Sequence, residues 1–203
     1  MHIADIFKRA KSKVTHKKYY HGSVADIKDD YLRPREQFNH VQDGVVTAVF
    51  VTTNFDYAKF FPINRCIGTG HCRLDGKKIF LEKLRADIKP VFYVYTVYET
   101  PDNHFVLDLG SETEFCSTKP IKIAKREKFN TAQEIEKLGY EIYVLDEPLK
   151  SKVDKKSGNN FAMQQEMDEA IKQKKFHRVD IVGMIAQQKK QKIAPMKKSV
   201  ERF

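Results

Sequence analysis

The sequence has few cysteines, and they do not form a disulfide framework. Cys66, Cys72 and Cys116 are an odd number, whereas small domains held together by disulfides carry an even set. Cys66 and Cys72 lie six residues apart with His71 beside Cys72, but no fourth residue has the spacing of a zinc ligand. We therefore expect reduced thiols inside a cell and no metal site.

Long apolar runs are also missing. No stretch approaches the roughly 20 residues that a membrane-spanning helix needs. Residues 1–7 are too few and too polar for a signal peptide. We therefore expect a cytoplasmic protein without a membrane partner.

The chain has enough apolar residues for a substantial core and an excess of positive charge. Of its 203 residues, 41% are apolar and 11% aromatic, which is not a disordered composition. The net charge is +10 and the pI is near 9.4. Polyanions are plausible partners of such a chain, although solubility alone would also explain the excess.

The pattern of strands and helices predicts an α+β fold. Asn54 is expected to cap a helix that buries Phe61 and that Pro62 ends. Thr131 and Glu134 form a capping-box pattern for a later helix. The predicted elements are a helix over 3–14, strands over 19–23, 45–52, 91–98, 105–109 and 140–145, strand material over 114–124 with a sheet edge or a bulge at Pro120, helices after Asn54 and over 131–139, loops over 24–44 and 63–76, and an ambiguous stretch over 77–84. Mostly strands with a few short helices do not form a doubly wound parallel sheet.

The last part of the chain differs in composition. Residues 147–203 contain fourteen Lys and Arg against seven Asp and Glu. A linker-like stretch over 149–160 precedes helical patterns over 161–174 and 179–188 and a basic tail. We predict a domain over 1–148 and a basic helical extension over 149–203. The extension is either a solvated helical hairpin packed on the domain or an arm that binds a polyanion or another partner.

One aromatic stretch ends in three residues with varied hydrogen-bonding groups. Tyr19 and Tyr20 favour a strand, and Gly22 allows another backbone to approach closely. The triplet His21-Gly22-Ser23 then offers an imidazole, backbone polar groups and a hydroxyl at one point, enough to hold an amide and a ribose. A simple turn after a strand is the alternative interpretation.

Three pieces in order resemble the ADP-ribosyltransferase superfamily, on its poly-ADP-ribose-polymerase and diphtheria-toxin side. The first is His21-Gly22-Ser23. The second is residues 48–52 followed by a helix, which gives the aromatic pair Phe50 and Phe61, with Phe where the family usually has Tyr. The third is residues 111–115 before 120–123, which resembles the strand that opens with the catalytic glutamate, here Glu114.

A second similarity is to the small rifamycin ADP-ribosyltransferases. It involves residues 20–27, 118–123 and 135–145. Those enzymes use an aspartate after the corresponding strand, which makes Asp102 a rival to Glu114. Together the two similarities span about residues 18–146.

The resemblance implies a split antiparallel sheet and transfer of ADP-ribose from NAD with release of nicotinamide. Glu114 would stabilise the positive charge that develops on the ribose. Glu112, two residues earlier on the same strand and so about 7 Å away on the same face, would orient the acceptor. For both glutamates the alternative is an ordinary solvated strand edge.

The resemblance also implies how NAD would be held. His21 would bind the ribose on the adenine side, the Gly22 backbone the nicotinamide amide, and Ser23 a ribose hydroxyl. Phe50 and Phe61 would stack on the nicotinamide ring; otherwise they are core residues. The loss of both phenol hydroxyls is the main departure from the family.

Three functions follow as alternatives. The first is an NAD-dependent ADP-ribosyltransferase, the second an NAD glycohydrolase that makes no transfer, and the third a non-catalytic basic nucleic-acid-binding protein. For the first, a protein, a nucleic acid or a small molecule could be the acceptor, and the positive charge favours DNA, RNA or a protein that binds them.

Overall fold

Two β-sheets and four short helices make up the described part of the chain. The computed structural model describes residues 17–39, 44–100, 105–107, 113–151 and 161–188. The fold class is α+β, with mostly antiparallel strands. The helix predicted over 3–14 and the basic tail after residue 188 lie outside the described residues. In the described part, no helix combines the length and the apolar character that crossing a membrane requires.

The first sheet carries the motifs that the sequence indicated. Its strands are β1 (Lys18–Ser23), β2 (Tyr31–Leu32), β3 (Arg35–Asn39), β4 (Gly44–Thr52), β7 (Val91–Tyr98), β8 (Val106–Leu107), β9 (Glu114–Ser117) and β10 (Ile121–Asn130). Their order in the sheet is β2-β10-β7-β1-β4-β9-β8, with β3 also beside β4. All their pairings are antiparallel.

The second sheet consists of β5 (Gly68–Asp75), β6 (Lys78–Leu84), β11 (Glu141–Leu145) and β12 (Phe176–Val179). Their order in the sheet is β12-β11-β6-β5. β11 runs parallel to β6, and the other two pairings are antiparallel.

Helix α1 (Phe55–Ile67) begins where the sequence predicted. The Asn54 side chain accepts hydrogen bonds from the backbone N–H groups of Asp56 and Tyr57, each at 3.0 Å. The prediction that Pro62 ends the helix is wrong, because α1 continues to Ile67. The prediction that Phe61 is inside is also wrong, since 39% of this residue is exposed.

Two stretches predicted as loops contain strands. Residues 24–44 include β2 and β3, and residues 63–76 include the end of α1 and β5. The ambiguous stretch over 77–84 is β6. β5 lies at the edge of its sheet, where a strand needs only one neighbour and tolerates glycine and polar residues. Its composition therefore lacks the apolar pattern of a central strand.

Helix α2 (Thr131–Leu138) is capped by Asn130 and not by Thr131. The Asn130 side chain accepts from the Gln133 N–H at 3.2 Å. The Thr131 hydroxyl instead donates to the carbonyl of Lys89 at 2.9 Å. The predicted capping box is therefore wrong: the N-cap lies one residue earlier than predicted, because the Thr131 hydroxyl makes a tertiary contact.

The other end of α2 is as predicted. Gly139 follows the last helical residue with a φ of 67°, in the left-handed region that favours glycine. Glu134, the predicted partner of the cap, is bound to Lys59 of α1 at 2.9 Å.

The core lies in three apolar clusters. The largest fills the space between the sheets and contains α1, α2 and buried residues of β6, β7 and β11. The second covers the other face of the first sheet around Tyr95, and the third packs helix α3 (Phe161–Lys172) on the other face of the second sheet around Phe80. α1 therefore lies between the two sheets.

Residues 161–188 contact both the second sheet and the core. β12 pairs with β11 over four residue pairs. Helix α4, over residues 181–188, buries Ile181 and Ile185 in the largest cluster. The separation of the chain at residue 148 stays a prediction.

Candidate functional site

The three strands that carry the motifs are neighbours in the first sheet. β4 lies between β1, which holds the His-Gly-Ser triplet, and β9, which begins with Glu114. Tyr20 lies opposite Thr52, and Thr52 lies opposite Glu114. Directly opposed side chains share a face of the sheet. Glu114, Thr52 and Tyr20 therefore form one row across three strands, on the face that α1 covers.

The sheet opens between β1 and β4 beside the triplet. β1 pairs with β7 at six positions, from Lys18 to Ser23. Its pairing with β4, in contrast, is given by one pair, Tyr20 opposite Thr52. Residues of β4 up to Ala48 pair with β3 instead. Successive residues of an antiparallel strand direct their backbone groups to alternate sides. At least one residue of the triplet therefore directs its N–H and C=O into the opening.

The His21 side chain reaches across this opening. Its Nδ1 lies 2.8 Å from the carbonyl oxygen of Phe50. A carbonyl only accepts, so Nδ1 carries the proton and donates, and Nε2 of the neutral ring is an acceptor. Burial lowers the pKa of His21; the hydrogen bond to Phe50 opposes this, and the nearby charge of Arg35 adds to it. The imidazole is therefore neutral at pH 7.

Gly22 is a point of close contact between α1 and the sheet. A Cβ at this position would lie 1.9 Å from the carbonyl oxygen of Ala58 and 2.6 Å from Cδ of Pro62. Pro62 has no N–H for the carbonyl of Ala58, the usual helical acceptor four residues earlier. That carbonyl instead faces the glycine. Gly22 thus has a structural role, and its closeness to another backbone is confirmed.

Ser23 and the residues after it form a turn that is tied to β7. The Ser23 hydroxyl oxygen accepts from the Ala25 N–H at 3.1 Å. The Tyr95 hydroxyl donates to the Ala25 carbonyl at 2.9 Å and accepts from the Ile27 N–H at 2.7 Å. These bonds hold the chain just beyond the triplet in one place.

The two predicted aromatic residues lie on the α1 side of the sheet. Phe50 is two residues from Thr52 and therefore shares the face of Glu114. Phe61 lies on α1, and its ring centroid is 5.0 Å from that of Tyr57 and 5.4 Å from that of Phe60. Among the described ring contacts none joins Phe50 to Phe61, so the stacked pair stays a prediction.

Tyr57 is a residue of this site that the sequence reasoning missed. It lies one helical turn before Phe61, on the same side of α1. Burial, the Glu114 carboxylate and then Cys72 raise the pKa of Tyr57 to about 12. The phenol is therefore protonated at neutral pH and lies within electrostatic range of Glu114. Helical spacing from Phe61 is the signal that would have indicated it.

His21 and Glu114 lie on opposite faces of the sheet. Tyr20 belongs to the row of Glu114, and the next residue of a strand points to the other face. The His21 ring contacts Tyr95 on that other face, with ring centroids 6.3 Å apart. The side chains of His21 and Glu114 therefore do not share a face of the sheet.

Two predicted carboxylates cannot be placed. Glu112 and Asp102 lie outside the described residues. Glu114 is the first residue of β9, as the prediction of a strand that opens with it requires.

The cysteines do not form a metal site with their neighbours. Among the described residues, no three His, Cys, Asp or Glu side chains lie close enough to hold a metal ion. Cys66 is fully buried, and burial raises the pKa of its thiol. Burial also raises the pKa of Cys72 to about 11, and its sulfur accepts a hydrogen bond from the Asn64 side chain.

Comparisons with known proteins identify no relative. The chain matches no model of a protein family, no curated protein and no solved structure.

Proposed function

We propose that this chain transfers ADP-ribose from NAD to a macromolecular acceptor and releases nicotinamide. The observation that carries the proposal is the row of Glu114, Thr52 and Tyr20 beside the opening between β1 and β4. The three strands of this row are neighbours in an antiparallel sheet although they are far apart in the chain, which supports the proposal.

Glu114 acts on the bond between nicotinamide and ribose. When this bond breaks, its electron pair leaves with nicotinamide and positive charge develops on the ribose. A fixed carboxylate stabilises that charge more in the transition state than in the ground state. Tyr57, protonated at neutral pH, supplies a hydrogen-bond donor near this carboxylate. The acceptor atom then bonds to the ribose carbon and loses its proton to water, with Glu112 orienting the acceptor.

We assign the remainder of NAD to the residues around the opening. His21 offers Nε2 to a ribose hydroxyl on the adenine side. The backbone of Gly22 binds the nicotinamide amide, Ser23 binds a ribose hydroxyl, and Phe50 and Phe61 flank the nicotinamide ring. In this proposal NAD contacts His21 on one face of the sheet and Glu114 on the other.

The protein acts in the cytoplasm under this proposal, and residues 149–203 strengthen the contact with a polyanionic acceptor without taking part in the chemistry.

Two other functions use the same residues differently. An NAD glycohydrolase would transfer the ADP-ribose to water, and a basic nucleic-acid-binding protein would leave NAD intact. Incubation with labelled NAD separates the three, because the label moves to an acceptor, becomes free ADP-ribose or stays in NAD.

The test of the proposal is the rate of nicotinamide release by carboxylate variants. Glu114→Gln keeps the shape of the side chain but not its charge. We expect a loss of about 100- to 1000-fold in rate, with NAD binding by calorimetry nearly unchanged. Glu112→Gln should reduce transfer more than NAD hydrolysis, and Asp102→Asn should have little effect. His21→Ala should weaken NAD binding.

Two results would contradict this assignment. An inactive Asp102→Asn together with an active Glu114→Gln would make Asp102 the catalytic carboxylate. Undiminished NAD binding by His21→Ala would remove His21 from the site.

A further inference from the structure

An alternating row of lysines and tyrosines crosses four strands of the first sheet. Lys18 of β1 lies opposite Tyr98 of β7, and Lys122 of β10 lies opposite Tyr31 of β2. Val97 lies opposite Ile123, so Tyr98, the next residue of β7, is level with Lys122. We call Lys18, Tyr98, Lys122 and Tyr31 the lysine–tyrosine row.

The row lies on the same face of the sheet as Glu114. Lys18 is two residues from Tyr20, which belongs to the row of Glu114. Ile121 and Ile123 of β10 pack in the cluster on the opposite face, so Lys122 between them points to the face of Tyr20. On this face α1 begins with Phe55, whose ring contacts Tyr20, two residues from Lys18.

The rings and charges of the row are accessible. Tyr98 is 40% exposed and Tyr31 is 41% exposed, and both lysines are exposed. The ammonium group of Lys18 lies 5.1 Å from the ring centroid of Tyr20. In the neighbouring part of β10, Lys125 and Glu127 form an ion pair at 2.9 Å and offset one another. Lys18 and Lys122 therefore add two positive charges to this face.

The spacing suits a chain of bases and phosphates. Adjacent strands lie about 4.8 Å apart, so the two tyrosines are separated by about 10 Å with Lys122 between them. Aromatic rings that stack on bases, together with cations that bind phosphates, are the means by which proteins hold single-stranded nucleic acid. From Lys18 the row leads towards β9, where Glu114 lies two strands beyond β1.

We propose that the lysine–tyrosine row binds single-stranded nucleic acid and presents it to Glu114 as the acceptor of ADP-ribose. The acceptor part of this inference rests on the proposed function. Binding to the row does not, because it requires no NAD. An acidic protein segment would contact the lysines but would gain little from the rings.

The experiment measures the binding of a fluorescein-labelled oligothymidylate by anisotropy, without NAD, over a range of salt concentrations. Tyr98→Ala and Tyr31→Ala should each weaken binding at least about fivefold, because each removes a stacked base. Phe161→Ala, which removes an exposed ring from α3, is the control and should leave binding unchanged. Tyr98→Phe keeps the ring and should bind like the wild type, and an unchanged melting temperature of Tyr98→Ala would show that its loss of binding is not one of folding.

The lysines are tested by the salt dependence. Lys18→Gln and Lys122→Gln should each reduce the log–log slope by about 0.7. Lys128→Gln is the matched control, since this exposed lysine of β10 lies opposite Tyr93 on the other face of the sheet. Its slope should equal that of the wild type.

Polyglutamate and labelled NAD complete the design. Wild-type affinity in Tyr98→Ala and Tyr31→Ala, or displacement of the oligonucleotide by an equal charge concentration of polyglutamate, would overturn the inference. Loss of ADP-ribose transfer to the oligonucleotide in Tyr98→Ala, with NAD hydrolysis kept, is expected. Binding as expected without any NAD turnover would refute the proposed function and leave the binding surface standing.

Discussion

The ammonium group of Lys59 is buried between α1 and α2. Its side chain is 3% exposed, and Nζ lies 2.9 Å from a carboxylate oxygen of Glu134 and 3.3 Å from one of Asp56. It also lies 4.6 Å from the ring centroid of Phe55 and 5.1 Å from that of Phe129. This ion pair joins the helix that carries Tyr57 to the helix beside it.

Removal of one partner should cost far more than removal of both. Glu134→Gln keeps the shape but leaves the buried ammonium with Asp56, whose side chain is 64% exposed. We expect a loss of about 3–5 kcal/mol in the free energy of unfolding, because a buried charge then lacks its main partner. The double variant Lys59→Met with Glu134→Leu should be near neutral or stabilised by about 1–4 kcal/mol.

Denaturant unfolding of four proteins checks this reasoning. Wild type, Glu134→Gln and the double variant are compared with Glu136→Gln, which changes an exposed carboxylate of the same helix. The control should stay within about 0.5 kcal/mol of wild type. The reasoning is refuted if Glu134→Gln is as stable as the control, or if the double variant is as unstable as Glu134→Gln alone.

Two further predictions concern the triplet. Gly22→Ala should lower the free energy of unfolding by about 3 kcal/mol or more, because the new Cβ meets the carbonyl of Ala58 at 1.9 Å; a wild-type melting temperature would contradict the close contact. Burial lowers the pKa of His21, so the unfolded chain takes up the proton first as the pH falls, and stability is lost below about pH 6.5. His21→Asn should therefore lose less stability than wild type between about pH 7 and pH 5 in urea titrations, and parallel curves would show that His21 has no part in the decline.

Local patterns were sufficient for the central strands and for one helix end. The continuous apolar runs over 45–52 and 91–98 are β4 and β7, because β-branched and aromatic residues suit a buried strand. Gly139 ends α2 because glycine adopts the left-handed conformation at no steric cost. Strand formation and helix termination of this kind depend on residues that are close together in the chain.

Predictions from the local sequence were wrong where a contact with a residue distant in the chain changed the local structure. Pro62 was expected to end α1, but the carbonyl that it leaves without a helical donor packs against Gly22 of another element. Thr131 was expected to be a cap, but its hydroxyl binds Lys89. The polar strand β5 was missed because it is held by pairing with β6 and not by its own apolar pattern.

The α+β class, the triplet at the end of β1 and strand material from residue 114 could be predicted from the sequence, since these follow from short-range propensities. The row of Tyr20, Thr52 and Glu114, the effect of the Glu114 charge on Tyr57 and the position of His21 on the other face could not be predicted, because they depend on strand pairing and helix packing. Hydrogen bonds between strands join residues that are far apart in the chain, and their register sets which side chains share a face.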